Sequence, residues 1–128
     1  MKLLLDTHTF IWWDSEPEKL SPTVLALCQD ADNELILSVA SLWEIQIKSQ
    51  LGKIKLTISL PHIIQAQQRS NALQVLPVNA EHVYKLDSLP SLHKDPFDRI
   101  LIAQASVENI PIASQDSIIR AYPVQVKW

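Results

Sequence analysis

Apolar residues fall along this chain in short runs broken by polar turns, alternating with longer stretches of helical spacing. Lys2–Leu5 (KLLL) is an apolar run that stops abruptly at Asp6-Thr7-His8, the pattern of a buried strand entering a polar turn. The segment FIWWDSEPEKLSP then reads as a crossing to a helix over about residues 22–31, with Ser21 as N-cap and Pro22 at the first helical position. Residues 31–33 (ADN) form a turn and residues 34–37 a second apolar strand. A helix is predicted over residues 39–51, opening near Ser38 and ending at Gly52, and residues 53–58 (KIKLTI) are a short link. Leu60–Asn71 reads as a helix, residues 74–77 (QVLP) as a strand, residues 80–88 as a helix and residues 89–94 as a loop. In HKDPFDRILIAQA, from His93 to Ala105, Asp95 takes the N-cap, Pro96 the first helical position and Asp98 the first turn of a helix that continues to about Glu108. Residues 110–113 are a short buried strand, 116–121 a helical turn and 124–126 a last strand.

Strands alternating with helices imply an α/β fold, a parallel sheet with helices on both faces. There are no repeats, low-complexity segments or linkers, so the 128 residues are expected to form one domain with a proper core. Hydrophobic residues make up 47%, which argues against disorder, and no apolar run has the length of a membrane span. The opening MKLLLD is too short in its apolar part for a signal peptide, and the lone Cys28 cannot form an internal disulfide. A reduced, cytoplasmic setting is the expectation.

Gly52 is the single glycine, so neither a P-loop nor a G-x-G-x-x-G turn can exist. The formal net charge of −3 argues mildly against a protein that simply coats nucleic acid. Setting aside five acids, Asp6, Glu44, Asp95, Asp98 and Asp116, turns −3 into +2, so the balance elsewhere is basic.

Each of those acids has a bland explanation. Asp6 follows the first strand, where open α/β sheets place ligands, yet it is equally a turn or cap aspartate. Glu44 completes a capping box with Ser41 if its helix starts at Ser41. If Ser38 is the cap instead, Glu44 sits among Leu42, Trp43, Ile45 and Ile47 and needs a cationic partner. Asp95 has a sound role as N-cap, and Asp116 caps the turn SIIRAY. Asp98 is harder to dismiss, because it opens an apolar helix. Together the acids stand after two strands and at the mouths of two helices. Carboxylates meeting at one sheet edge repel, so the cluster makes sense around Mg²⁺ or Mn²⁺. His8, His62, His82 and His93 are scattered and give no zinc site.

LLLDTHTFIWW, SLWEI, HKDPFDRILIAQA and IASQD, in this order and spacing, resemble the PIN-domain nucleases, and more closely the VapC-type toxins of bacterial toxin–antitoxin pairs. The resemblance covers essentially the whole chain. It implies a PIN-like three-layer α/β/α sandwich with a central parallel sheet, and a divalent-metal-dependent endoribonuclease that inhibits growth by cleaving RNA. The family's acids map onto Asp6, Glu44, Asp98 and Asp116, with Asp95 a frequent additional acid in this branch. Ser114 stands where the family often has Thr and keeps the hydroxyl. An antitoxin partner and a homodimer are implied as well, and no membrane.

On this expectation Asp6 and Asp98 hold the principal Mg²⁺ (or Mn²⁺), with Glu44 and Asp116 binding directly or through water. Thr7 and Ser114 would anchor waters or carboxylates around the ion. Lys94 and Arg99 are the cations nearest the acids, and Lys48, Lys53 and Lys55 form a second basic stretch. RNA contact and solvated surface charge are both open for these five. Arg99 equally suits neutralising Asp95 or a partner's acid. Trp12 and Trp13 suit core plus rim, an apolar groove for a partner, or base stacking. Among other classes, an aspartyl-nucleophile phosphatase would want a second acid where His8 stands, and a receiver-like module would want an aspartate ending a central strand and a lysine late in the chain, neither of which is convincing here. A catalytically silent PIN-like domain that only assembles with partners is the remaining alternative.

Overall fold

The alternation of side chains along the first strand sets the layers of the molecule. Leu3, Leu4 and Leu5 are all fully buried in β1 (Lys2–Leu5), which only a strand covered on both faces allows. The computed structural model describes residues 1–128 and places β1 at the centre of a five-stranded sheet. On one side lie β2 (Glu34–Ser38) and then β3 (Gln74–Leu76); on the other, β4 (Ile112–Ala113) and then β5 (Val126–Lys127). Every neighbouring pair is parallel. The α/β/α sandwich expected from the sequence is therefore present.

Leu3 and Leu5, with Leu35 and Leu37 of β2, face α1 (Thr7–Ser15), α2 (Pro22–Gln29), α3 (Val39–Gln50) and α4 (Leu60–Asn71) through Phe10, Val24, Ile45 and Ile63. Leu4, Ile36 and Ile112 face the other way, onto Leu101, Ile102 and Ala105 of α6 (Pro96–Glu108) and Ile119 of α7 (Ser117–Arg120). Between β3 and α6 lies α5 (Ala80–Lys85). No helix is long and apolar enough to cross a membrane.

One element departs from the sequence reading. Residues 6–8 were expected as a polar turn and FIWWDSEPEKLSP as a crossing, but residues 7–15 form α1, followed by a 3-10 turn at Pro17–Lys19. The sequence THTFIWWDS is rich in β-branched and aromatic residues, weak helix formers that show no helical stripe. Tertiary burial of Thr7, Thr9 and Phe10 decides the matter, together with Asp6, whose carboxylate accepts from Thr9 N at 2.8 Å as the N-cap.

Smaller differences have local causes. The strand expected at residues 110–113 shortens to Ile112–Ala113, since Pro111 has no N–H for the ladder, although its carbonyl accepts from Leu4 N at 3.0 Å. The strand expected at residues 124–126 begins at Val126, because Val124 N turns back to Tyr122 O at 2.8 Å. The helix expected over residues 80–88 tightens to a 3-10 turn after Lys85. Gly52 stands where expected, just beyond α3, at φ +72°.

Strand order positions the site. From β1 the chain builds β2 and β3 to one side, then returns through α5 and α6 to lay β4 against the other flank of β1. The direction of winding reverses between β1 and β4, and a crevice opens beyond the carboxyl ends of these strands. Asp6 and Ser114 are the residues that step out of β1 and β4 there.

Candidate active site

Three helices begin at this crevice with an aspartate as N-cap. Asp6 caps α1, Asp95 caps α6 through Phe97 N (2.9 Å) and Asp98 N (3.1 Å), and Asp116 caps α7 through Ile118 N (2.9 Å). In each case only Oδ1 takes a hydrogen bond from the chain, so Oδ2 remains for another partner. The N-terminal ends of the helices also favour negative charge, which eases the crowding of acids.

Glu44 reaches the crevice differently. Ser38, not Ser41, caps α3, its hydroxyl accepting from Ala40 N at 3.0 Å. Glu44 is therefore an interior helix residue, 4% exposed, and both its oxygens are engaged. Thr7 Oγ1 donates to Oε1 at 2.7 Å and lies 3.0 Å from Ser41 Oγ, and Lys48 Nζ donates to Oε2 at 2.6 Å. The cationic partner that Glu44 needs is Lys48, one helical turn on.

All five acids, Asp6, Glu44, Asp95, Asp98 and Asp116, line one pocket of about 580 Å³, in which Trp12 is the single apolar side chain. Their mutual repulsion is visible at Asp98. Burial, with the neighbouring charge of Asp95, pushes its carboxyl up to about 6; Asp116 and Glu44 add to the rise, and a hydrogen bond from His93 opposes it. Ser114, fully buried, accepts from Asp116 N at 3.1 Å and so sets the turn that presents Asp116.

Several side chains stand elsewhere than the sequence suggested. Arg99 does not reach the acids: its guanidinium donates to Pro90 O and Tyr122 OH, both at 2.9 Å, which withdraws it from phosphate or from Asp95. Lys48 lines the pocket but is tied to Glu44. Lys94, Lys53 and Lys55 make no ion pair; Lys94 is exposed beside Asp95. Trp12 and Trp13 are both half-buried against the core, Trp13 on Phe10 (6.1 Å between ring centres) and Trp12 on Trp128 (6.0 Å). Neither is fully buried in the core, and Trp12 also stands on the wall of the acid pocket.

Sequence reasoning gave Tyr122 and Thr9 no role, and weighed Ser41 only as a helix cap and His93 only as a zinc ligand. His93 Nε2 lies 3.3 Å from Asp98 Oδ2, yet in the sequence it is one of four scattered histidines. Its position five residues before Asp98 was the one available signal.

The donor set suits a hard divalent cation: oxygen ligands, no competing thiol or imidazole cluster, and carboxylates whose repulsion a cation would relieve. No three His, Cys, Asp or Glu side chains form a ready-made cage. The one cysteine is far from this chemistry, buried with its thiol pushed up to about 11 by burial.

Comparison with known proteins gives concordant results. Residues 3–125 match the PIN domain. Ribonuclease VapC22 of Mycobacterium tuberculosis is 27% identical over 121 residues, spanning 94% of this chain and 91% of that protein. A chain of VapBC2 from Rickettsia felis, solved bound to a DNA fragment from its promoter, superposes with a TM-score of 0.75 at 16% identity, covering 99% of this chain and 98% of that one. DNA-bound VapBC from Salmonella typhimurium gives 0.69 at 11% identity, covering 99% and 97%. At these identities the solved structures speak for the fold.

Proposed function

The chain belongs to the PIN-domain family, and from that premise we propose that it is a divalent-metal-dependent endoribonuclease, the growth-inhibiting toxin of a toxin–antitoxin pair. The observation that carries this reading is the convergence of five acids on one polar pocket at the reversal of the sheet, with Asp98 held up to about 6 by burial and by its acidic neighbours. The likeness to a protein named ribonuclease VapC22 over almost the whole chain supports RNA as substrate.

In this reading Asp6 and Asp98 would hold the ion, Asp116 and Asp95 would be further oxygen donors of the same pocket, and Glu44 would act through water because its oxygens are already bonded. When bound there, a Mg²⁺ or Mn²⁺ ion supplies an acidified water and neutralises charge on the phosphodiester. The chain does the rest. Thr7 and Lys48 fix Glu44 in one rotamer, and Ser114 fixes the backbone of Asp116. The caps at Asp6, Asp95 and Asp116 lock each carboxylate to a helix end, so one oxygen of each faces the pocket without an ordering cost at the moment of reaction. Exposed Lys94 is the free cation beside the pocket for the RNA backbone. The named VapBC neighbours support a protein antitoxin as partner, and a second copy of the chain is part of the proposed assembly. Residues 1–128 would act as one PIN-like unit.

The test is RNA cleavage by the purified protein, free of antitoxin, in Mg²⁺, in Mn²⁺ and in chelator, beside Asp6→Asn and Asp98→Asn. Cleavage that requires metal and is lost in both folded variants is the expected result. No cleavage of any RNA, with no metal bound by calorimetry, overturns it and leaves a module that only assembles with partners.

A further inference from the structure

Beside the acid pocket, but not lining it, Arg99 and His93 on either side of Asp98 and the distant Tyr122 form a directed series of hydrogen bonds that ends on Asp98. Its start is unambiguous, because a guanidinium has donors only. Arg99 Nη1 donates to Tyr122 OH at 2.9 Å, with the guanidinium carbon 5.9 Å from the centre of the tyrosine ring. Tyr122 is 3% exposed, and its hydroxyl lies 2.8 Å from His93 Nδ1. Having accepted from Arg99, the phenol has its own hydrogen to place, and Nδ1 is the acceptor beside it. The reverse direction would leave that hydrogen without an acceptor and turn an unprotonated Nε2 lone pair against a carboxylate. On this geometry Nδ1 is the nitrogen placed to accept from the phenol, and Nε2 the one placed to donate, 3.3 Å from Asp98 Oδ2. The ring is held edge-on to Tyr122, at 5.4 Å between centres and 63°, and its side chain is 13% exposed.

We propose that His93 is a positioning residue for Asp98: fixed in its Nε2–H tautomer by Tyr122 and Arg99, it pins Oδ2 and leaves Oδ1 facing the pocket and its cation. The inference rests on the metal-dependent reading of the pocket. Asp98 needs such a device because it has no cap of its own. Asp6, Asp95 and Asp116 are each tied to a backbone N–H, whereas the Asp98 carboxylate, in the first turn of α6 and surrounded by like charges, takes no backbone N–H. A histidine whose second nitrogen is fixed by another group is a known way to orient a metal's surroundings. It also assigns a purpose to Arg99, a cation turned inward at the rim of an acidic site.

The test uses the full chain without RNA, reading Mn²⁺ affinity by calorimetry, with cleavage as a second measurement. His93→Ala should weaken Mn²⁺ binding by roughly 10- to 100-fold, while His93→Gln, which offers an amide N–H in place of Nε2–H, should stay within about threefold of the parent. Should the alanine variant fail to fold, His93→Asn, whose shorter amide cannot span to Asp98, takes its place with the same expected loss. Nitrogen NMR of the unsubstituted protein should show His93 as a single Nε2–H tautomer, and Tyr122→Phe should convert it to a mixture. Unchanged Mn²⁺ affinity in the alanine or asparagine variant, or an Nδ1–H tautomer, overturns the positioning role while metal-dependent cleavage leaves the proposed function standing. No Mn²⁺ binding by the unsubstituted protein overturns the metal reading and the positioning role together.

Discussion

Thr7 Oγ1 donates to Glu44 Oε1 at 2.7 Å, tying the first residue of α1 to α3, the helix after β2. With Lys48 on the other oxygen, this bond keeps a 4%-exposed carboxylate satisfied. Thr7→Val keeps the shape and removes the donor, and should lower stability by about 1–3 kcal/mol, the cost of a buried acceptor left short of a partner. Thr7→Ser should restore most of it. Urea unfolding measures both, and a valine variant as stable as the parent would show the bond to be dispensable.

Lys48→Met should be destabilising by about 2 kcal/mol, less than for a wholly buried pair because Lys48 is 31% exposed. Adding Glu44→Gln should recover most of that loss, since the uncompensated charge is gone. A cost for Lys48→Met no larger than that of an ordinary surface pair, about 0.5 kcal/mol, would contradict the burial argument.

Asp98 makes metal-free stability depend on pH in a defined direction. Its carboxyl is raised in the folded state from 3.8 to about 6, so folding favours the protonated form. The stabilising contribution is complete below the unfolded value and is lost as pH rises through the folded one. Asp98→Asn, which cannot ionise, should gain on the parent protein between about pH 4 and about pH 7, and Mg²⁺ should narrow the gap at the upper end. A stability difference that stays flat over this range, in urea titrations without metal, would remove the raised titration from the account.

Asp95 joins two roles that substitution separates. Asp95→Ala removes the cap of α6 and should cost about 1 kcal/mol, whereas Asp95→Asn keeps an oxygen for Phe97 N and Asp98 N and should cost little. Both remove a charge beside Asp98, so both should bring its titration back toward the usual carboxylate range, as followed by carboxyl NMR.

Asp6→Asn and Asp116→Asn retain cap oxygens for Thr9 N and Ile118 N, so both variants should fold with near-parental melting points. Cleavage should nonetheless fall by about two orders of magnitude in Asp6→Asn, from loss of an anionic oxygen at the ion. Melting points that collapse in step with activity would assign Asp6 a structural role instead.

The sequence by itself determined the central strands and most helices, because Leu3–Leu5 and Leu35–Leu37 are apolar on both faces and Ser21, Ser38 and Asp95 are capping residues at the positions where helices begin. It also determined which acids were worth weighing, since a carboxylate after a strand or at a helix mouth has a limited set of uses. What only the tertiary structure decided were matters of long-range contact. The helix at Thr7–Ser15 forms because Phe10 is buried against the sheet, and local propensity carries no trace of that. The engagement of Glu44 by Thr7, the inward turn of Arg99 to Tyr122, and the seat of His93 on Asp98 join residues from 5 to 37 positions apart. Periodicity reports which face of an element is buried; it does not report which side chain meets which across the fold, because that depends on the order in which the strands are laid down.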